Sequence, residues 1–277
     1  MTKQGPVGIF DSGYGGLSVF KEIQKKLPQY DYVYLGDNAR VPYGTKSFET
    51  VYQYTLQCVH QLFTLGCPLI ILACNTASAK ALRTIQQRDL PGSGLNKKVL
   101  GVIRPTTELI GQYTHTRKIG ILATPGTVLS ASYLLEINHF YPDITVYQEA
   151  CPMWVPLIEN GELDSPGAHH FIAKNIQALL QQDGDIDTIV LACTHYPLML
   201  PRIRKYTPEH IQIISQGPLV ADRLADYLER HQEVASCCSQ NGNIRFITTD
   251  HAEDFEKMAP QFYGEHVRAE HIDLLPA

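Results

Sequence analysis

Residues 69–78 read Leu-Ile-Ile-Leu-Ala-Cys-Asn-Thr-Ala-Ser, and their reading sets that of the whole chain. Four large apolar residues in a row, with none left to face water, mark a strand buried on both faces, as in a parallel sheet. The Asn-Thr-Ala-Ser that follows is rich in capping residues and opens a helix-period segment, ASAKALRTIQQ. Residues 188–197, Thr-Ile-Val-Leu-Ala-Cys-Thr-His-Tyr-Pro, repeat the plan, again ending an apolar strand in a cysteine.

The alternation continues outward. VGIF at 7–10 precedes the helical LSVFKEIQKKL, and YVYL follows at 32–35. In the second half KIGILATPGTVLSASYLLEI (118–137) echoes VGIFDSGYGGLSVFKEI, and TVYQEACPMWVP (145–156) echoes YVYLGDNARVP. The offset is 112 residues for Gly8 and Gly120, 113 for Val33 and Val146, 114 for Pro42 and Pro156, and 119 for Cys74 and Cys193. An offset that grows in order along the chain is what duplication followed by small loop insertions leaves.

The expected fold class is therefore α/β: two pseudo-symmetric parallel-sheet domains from an internal duplication. The site is expected in the cleft between them, at the carboxyl ends of the strands. The polar, turn-rich stretch 89–98 is expected to part the domains. Strand-like 211–215 and 243–250, separated by the helical VADRLADYLERHQ, are expected to return to the first sheet. The domains would then be 1–98 with 214–277, and 99–213.

Composition narrows the function. Hydrophobic residues at 44% and charged residues at 18% of 277 exclude a disordered chain. With 23 Lys and Arg against 28 Asp and Glu, the net charge of -5 supplies no basic field, so nucleic acid is not expected as the main partner. The longest apolar run, 68–74, falls far short of the roughly 20 residues that span a bilayer, and the first residues lack the pattern of a signal peptide. A cytoplasmic protein without a membrane partner is expected. Seven cysteines with no C-x-x-C and no Cys/His quartet argue against a disulfide framework and a structural zinc, leaving reduced thiols and no metal site.

Two of those thiols, Cys74 and Cys193, stand at equivalent strand ends ahead of helical segments, where a helix N-terminus lowers a thiol's pKa. The alternative for either alone is a small buried hydrophobe; two in matched positions favour chemistry. Gly13-x-Gly15 after the first strand, with Asp37 ending the next, has the outline of a dinucleotide fingerprint, although Ser18 replaces the third glycine. The competing reading is a tight turn that lets a ligand approach the backbone. Asp11 is either a helix cap or a carboxylate facing the cleft near the Cys74 strand end, serving a substrate ammonium or the thiol. In 37–44 a turn after Pro42 offers amides to an anion, while Arg40 and Asp37 can equally pair with each other on the surface. His195, two residues beyond Cys193, is placed to exchange protons with it. Cys58 and Cys67 read as helix-packing residues and Cys237-Cys238 as part of a polar loop.

Together, Asp-Ser-Gly-x-Gly-Gly at 11–16, Asp-x-Ala-Arg-x-Pro-Tyr-Gly at 37–44, Ala-Cys-Asn-Thr-Ala at 73–77, Cys-Pro-Met-Trp-Val-Pro-Leu-Ile-Glu at 151–159 and Ala-Cys-Thr-His-Tyr-Pro at 192–197 resemble the glutamate racemases of the aspartate/glutamate racemase superfamily. The resemblance covers about residues 7–230. It implies a cofactor-independent enzyme that makes D-glutamate for peptidoglycan. Cys74 and Cys193 would be the acid/base thiols, with Asp11, Asp37, Glu159 and His195 handling protons beside them. Asp11, Ser12, Pro42, Tyr43, Gly44, Asn75, Thr76, Thr124, Thr127, Thr194 and His195 would line the glutamate site. The chain departs from the family at Thr106, where Gly is frequent after Pro105, and at Trp154, where a smaller apolar residue is usual.

The chemistry agrees with that implication, because two bases on opposite faces of an α-carbon suffice for racemisation. Three rivals stay open: an aspartate racemase, a nicotinamide-dependent oxidoreductase using the Gly13 loop, and a binding protein for acidic amino acids. Whether two copies form a homodimer is also open.

Overall fold

The computed structural model describes residues 4–91 and 97–274. Half of the turn-rich stretch expected to part the domains, 92–96, lies outside the described residues. Strands β1 (Val7–Asp11), β2 (Tyr32–Gly36), β3 (Leu69–Leu72), β4 (Lys98–Gly101), β9 (Ile244–Thr248) and β10 (Ala269–His271) form one parallel sheet in the order β10-β9-β2-β1-β3-β4. Strands β5 (Lys118–Ala123), β6 (Thr145–Ala150), β7 (Thr188–Ala192) and β8 (Gln212–Ser215) form a second, in the order β6-β5-β7-β8. Every residue of β1, β2, β3 and β7 is buried, as their unbroken apolar runs require.

The order β2-β1-β3-β4 recurs as β6-β5-β7-β8, so the two sheets carry the same topology in the same sequence order. Gly8 pairs with Val33 and Ile70, and Gly120 with Tyr147 and Ile189. The β2 match therefore shifts by one residue: the counterpart of Val33 is Tyr147, not Val146. Register exposes the slip because one residue's shift turns every side chain to the opposite face.

Sheet membership also moves the expected boundaries. β4 pairs with β3, so the chain remains in the first sheet through Gly101, and β8 pairs with β7, so the second runs to Ser215. Of the two strands expected to return to the first sheet, only β9 does, pairing with β2; β10 then adds an edge strand to it.

Helix Leu17–Lys26 buries Leu17, Val19, Phe20 and Ile23 and packs on helix Gln216–Arg230, which buries Leu219, Val220, Leu224 and Leu228. One apolar cluster runs from Ile23 and Tyr32 in the first half to Ile172 and Leu191 in the second, so the halves share a core along this helix pair. Among the described residues no helix is long and apolar enough to cross a membrane.

Candidate active site

The first thiol is built by β1 and β3. β1 ends in the fully buried Asp11, and β3 leads through Ala73 to Cys74, whose extended backbone (φ -67°, ψ 122°) makes it the cap of helix Asn75–Lys80. Cys74 Sγ accepts from the Ala77 amide at 3.4 Å, and Ser12 Oγ lies 3.4 Å away. Asp11 Oδ2 accepts from the Gly13 amide at 2.9 Å, while Asp11 Oδ1 is buried and has no hydrogen-bond partner among the described residues.

Burial raises the Asp11 carboxyl above its ordinary range. Burial first, and then the Asp11 charge, push the Cys74 thiol up to about 12. The helix N-terminus was expected to lower it. The two bonds to the sulfur do favour the thiolate, but a six-residue helix does not make up for lost water and a neighbouring carboxylate.

The second thiol follows β7. Cys193 and Thr194 lead to His195, and a short 3-10 turn, Tyr196–Met199, begins only there, with Pro197 in its first turn. Cys193 Sγ faces His195 Nδ1 at 3.9 Å, and His195 Nε2 lies 2.9 Å from Glu159 Oε1, at the end of helix Trp154–Glu159. Burial opposes a charge on His195. Hydrogen bonds to the Cys193 sulfur and the Glu159 carboxylate outweigh it and raise the imidazole to about 10. The ring is thus a cation at neutral pH, with an N–H aimed at each partner. Phe262, from the returning C-terminal helix Ala252–Tyr263, sets its ring against His195 edge to face at 5.2 Å.

The halves meet around these two centres. A side chain at Gly15 would run into His195 Nδ1 and Thr194 Oγ1, both 2.3 Å from a Cβ placed there, so the β1 turn can touch the second thiol's loop only as glycine. The space a side chain would need at Gly15 is thus taken by the protein's own side chains. Ser18 Oγ donates to the Thr194 carbonyl at 2.7 Å. Thr76 Oγ1 of the first half lies 2.9 Å from Thr124 Oγ1 of the second, which lies 3.1 Å from Thr127 Oγ1. The Gly126 amide donates to the Gly44 carbonyl at 2.8 Å, and a Cβ at Gly44 would come within 2.9 Å of Thr124 Cβ. A thiolate at Cys193 would raise Cys74 further. Ser12, Gly44, Asn75, Thr76, Thr124, Thr127, Thr194 and His195 are thereby gathered about the two thiols.

Asp37 stands apart. Its Oδ2 takes the Arg40 guanidinium at 2.7 Å and the Tyr43 hydroxyl, and its Oδ1 takes the Thr249 hydroxyl at 2.8 Å. A carboxylate so fully engaged braces the Tyr43-Gly44 turn; neither proton transfer at the thiols nor a ribose contact fits it. The Arg40 pair is present, but Asp37 is wholly buried and not on the surface. Tyr43 is buried with its hydroxyl committed to Asp37, and the exposed Pro42 lies on a cis peptide bond.

Both departures from the family pattern are accommodated. Trp154 is fully buried with its ring centroid 4.8 Å from that of Tyr196, and Thr106 Oγ1 accepts from the Gln216 amide at 2.9 Å. Cys237 and Cys238 are buried, and Cys238 bridges to Gly5, so the polar loop expected there is packed. Cys58 packs inside helix Phe48–Thr64, whereas Cys67 lies in the turn before β3.

Gln216, Tyr133, Phe262 and Lys80 were not singled out from the sequence. Gln216 follows β8 as Val102 follows β4, but the apolar counterpart gives no signal for a functional amide there. Lys80 Nζ donates to the Lys46 carbonyl at 2.5 Å and lies 4.9 Å from the Phe48 ring centroid; burial lowers its pKa. Among the described residues no three His, Cys, Asp or Glu side chains converge as metal ligands would.

The family model described as Asp/Glu/Hydantoin racemase matches residues 14–224. A glutamate racemase of Persephonella marina is 38% identical over 269 residues, 97% of each chain. Among solved structures, a glutamate racemase of Bacillus anthracis superposes with a TM-score of 0.88 at 32% identity, covering 98% of each chain. One of Francisella tularensis, solved in complex with D-glutamate, gives 0.86 at 30% identity, again over 98% of each chain.

Proposed function

Because the chain belongs to the Asp/Glu/hydantoin racemase family, we propose that it interconverts L- and D-glutamate by passing the α-proton between Cys74 and Cys193 without a cofactor. One observation carries this reading: equivalent strands of two duplicated sheets each end in a buried cysteine, and each sulfur has its own proton-handling partners.

Racemisation needs one thiol as base and one as acid, on opposite faces of the α-carbon. Cys74, held up at about 12, is the acid in the resting enzyme. Cys193 faces the His195 imidazolium, which stabilises the anionic sulfur that takes the proton. When Cys74 becomes the anion in its turn, the Ala77 amide and the Ser12 hydroxyl are placed to donate to it. The unpartnered Asp11 Oδ1 is the acceptor offered to the substrate ammonium.

No pyridoxal sink is invoked, so negative charge gathers on the α-carboxylate as the proton leaves. Amides at the start of helix Asn75–Lys80, with the Thr76 and Thr194 hydroxyls, are the donors suited to it. The product would serve peptidoglycan synthesis. The test is circular dichroism of the purified protein with D- or L-glutamate, then with aspartate. Loss of optical activity with glutamate alone supports the reading; turnover of aspartate alone, or activity lost to EDTA and restored by metal, overturns it.

A further inference from the structure

Both passages of the chain between the sheets converge on one side-chain amide. After β4 the chain leaves the first sheet at Val102 and enters helix Ile103–Thr107; after β8 it turns back at Gln216. Gln216 Nε2 lies 2.6 Å from Tyr133 Oη, 2.9 Å from Thr106 Oγ1 and 3.2 Å from the Val102 carbonyl. Its Oε1 accepts from Asn75 Nδ2 at 2.7 Å, and Tyr133 Oη donates to Asn75 Oδ1 at 2.7 Å.

Asn75, Thr106, Tyr133 and Gln216 are all buried. The network has a single self-consistent polarity. Turning the Gln216 amide would set its oxygen against the Val102 carbonyl, and turning Asn75 would set two amide oxygens together while leaving the Tyr133 hydroxyl facing an amide nitrogen. In a buried setting such mismatches are severe. Asn75 is therefore clamped at both ends, with one Nδ2 hydrogen left to offer.

We propose that Gln216 is a positioning residue for racemisation. It joins the two crossings between the sheets through Val102, Thr106 and Tyr133, and through Asn75 it ties the placement of the sheets to the substrate contact next to Cys74. The proposal rests on the functional reading above, since it is as a glutamate contact that Asn75 matters. Thr106, which set this chain apart in sequence, is part of the same device.

The test is a double-variant cycle with steady-state kinetics and thermal melts on the full chain. Tyr133→Phe removes the Asn75 bond without changing shape, and Gln216→Met removes the amide at similar volume. Each is expected to raise KM for both enantiomers about tenfold, the scale of one lost buried hydrogen bond, with kcat within about threefold. The double variant is expected to be little worse than the worse single, because either change frees the same side chain. Should Gln216→Met not fold, Thr106→Val takes its place in the cycle. Variants that melt earlier yet keep the wild-type KM overturn the proposal, as do losses that multiply in the double variant. A wild type that leaves glutamate optically unchanged brings down the functional reading, and the proposal with it.

Discussion

Glu159 Oε1 lies 2.9 Å from His195 Nε2, on the side of the ring away from Cys193. The carboxylate thus helps to raise the imidazole whose other nitrogen faces the second thiol.

Glu159→Gln is expected to shift the pH dependence of L-glutamate turnover. His195 stands at about 10 in part because of the Glu159 charge, so the amide lowers that value and the imidazolium is lost at lower pH. The alkaline limb of kcat/KM should move down, with a loss of about tenfold at pH 8 and a smaller one at pH 6, within the range for a displaced acid-base group. Stability follows the same sign. A histidine raised on folding contributes fully below its ordinary 6.5 and loses that contribution as pH rises through about 10. Denaturant melts across pH 6–10 should show the wild type losing more stability than Glu159→Gln. Identical pH profiles for the two proteins would refute the coupling.

Asp11→Asn is expected to separate reactivity from turnover. The Asp11 charge is one of the causes that hold Cys74 near 12, so removing it lowers the thiol and should speed its alkylation by iodoacetamide in the absence of substrate. Racemisation should fall at least tenfold, because the acceptor for the substrate ammonium is lost with the charge. Peptide mapping after brief alkylation gives the rate at Cys74. A rate at Cys74 that is unchanged or slower would mean that burial alone sets its reactivity.

The fold was legible wherever local pattern decides it. Apolar runs buried on both faces mark β1, β3, β5 and β7, and the duplication follows from their spacing. Strand register was less so: Val33 aligns with Val146 by residue type, while the pairing with Gly8 and Gly120 requires Tyr147. The site split in the same way. Cys74 and Cys193 stand out because they recur at matched strand ends, whereas the protonation of Cys74 depends on how much water the fold removes, which no spacing records. Glu159 reached the site only through resemblance to a family, since 36 residues separate it from His195. The Gln216 amide lies 141 residues from the Asn75 it holds, and only closure of the second sheet brings them together.

Lys80→Met is expected to retain racemisation within about threefold, as suits a group that touches neither thiol. A buried lysine with a lowered pKa has the character of a Schiff-base nucleophile. Its Nζ is nevertheless committed to the Lys46 carbonyl and set over Phe48. Borohydride added during turnover should leave the protein mass unchanged. Covalent trapping of substrate on Lys80, or a thousandfold loss in the variant, would replace the two-thiol scheme with an imine.

Handedness gives the sharpest expectation. A base fixed on one face of the α-carbon reaches the proton of one enantiomer only, so the two-thiol scheme requires Cys74 and Cys193 to divide the two. Family resemblance gives D-glutamate to Cys74 and L-glutamate to Cys193. Cys74→Ser and Cys193→Ser should each lose racemisation in both directions by at least a hundredfold, because each direction needs one acid and one base. Serine still donates a proton weakly but is a poor base at neutral pH, so the loss of abstraction should be one-sided. β-Chloroglutamate isolates that half: chloride leaves once the α-proton is gone, and no donor on the far face is required. Cys74→Ser should then retain elimination from the L-enantiomer and Cys193→Ser from the D-enantiomer. Should both variants favour the same enantiomer, the two sulfurs do not stand on opposite faces, and the assignment of one base to each half of the duplicated fold fails.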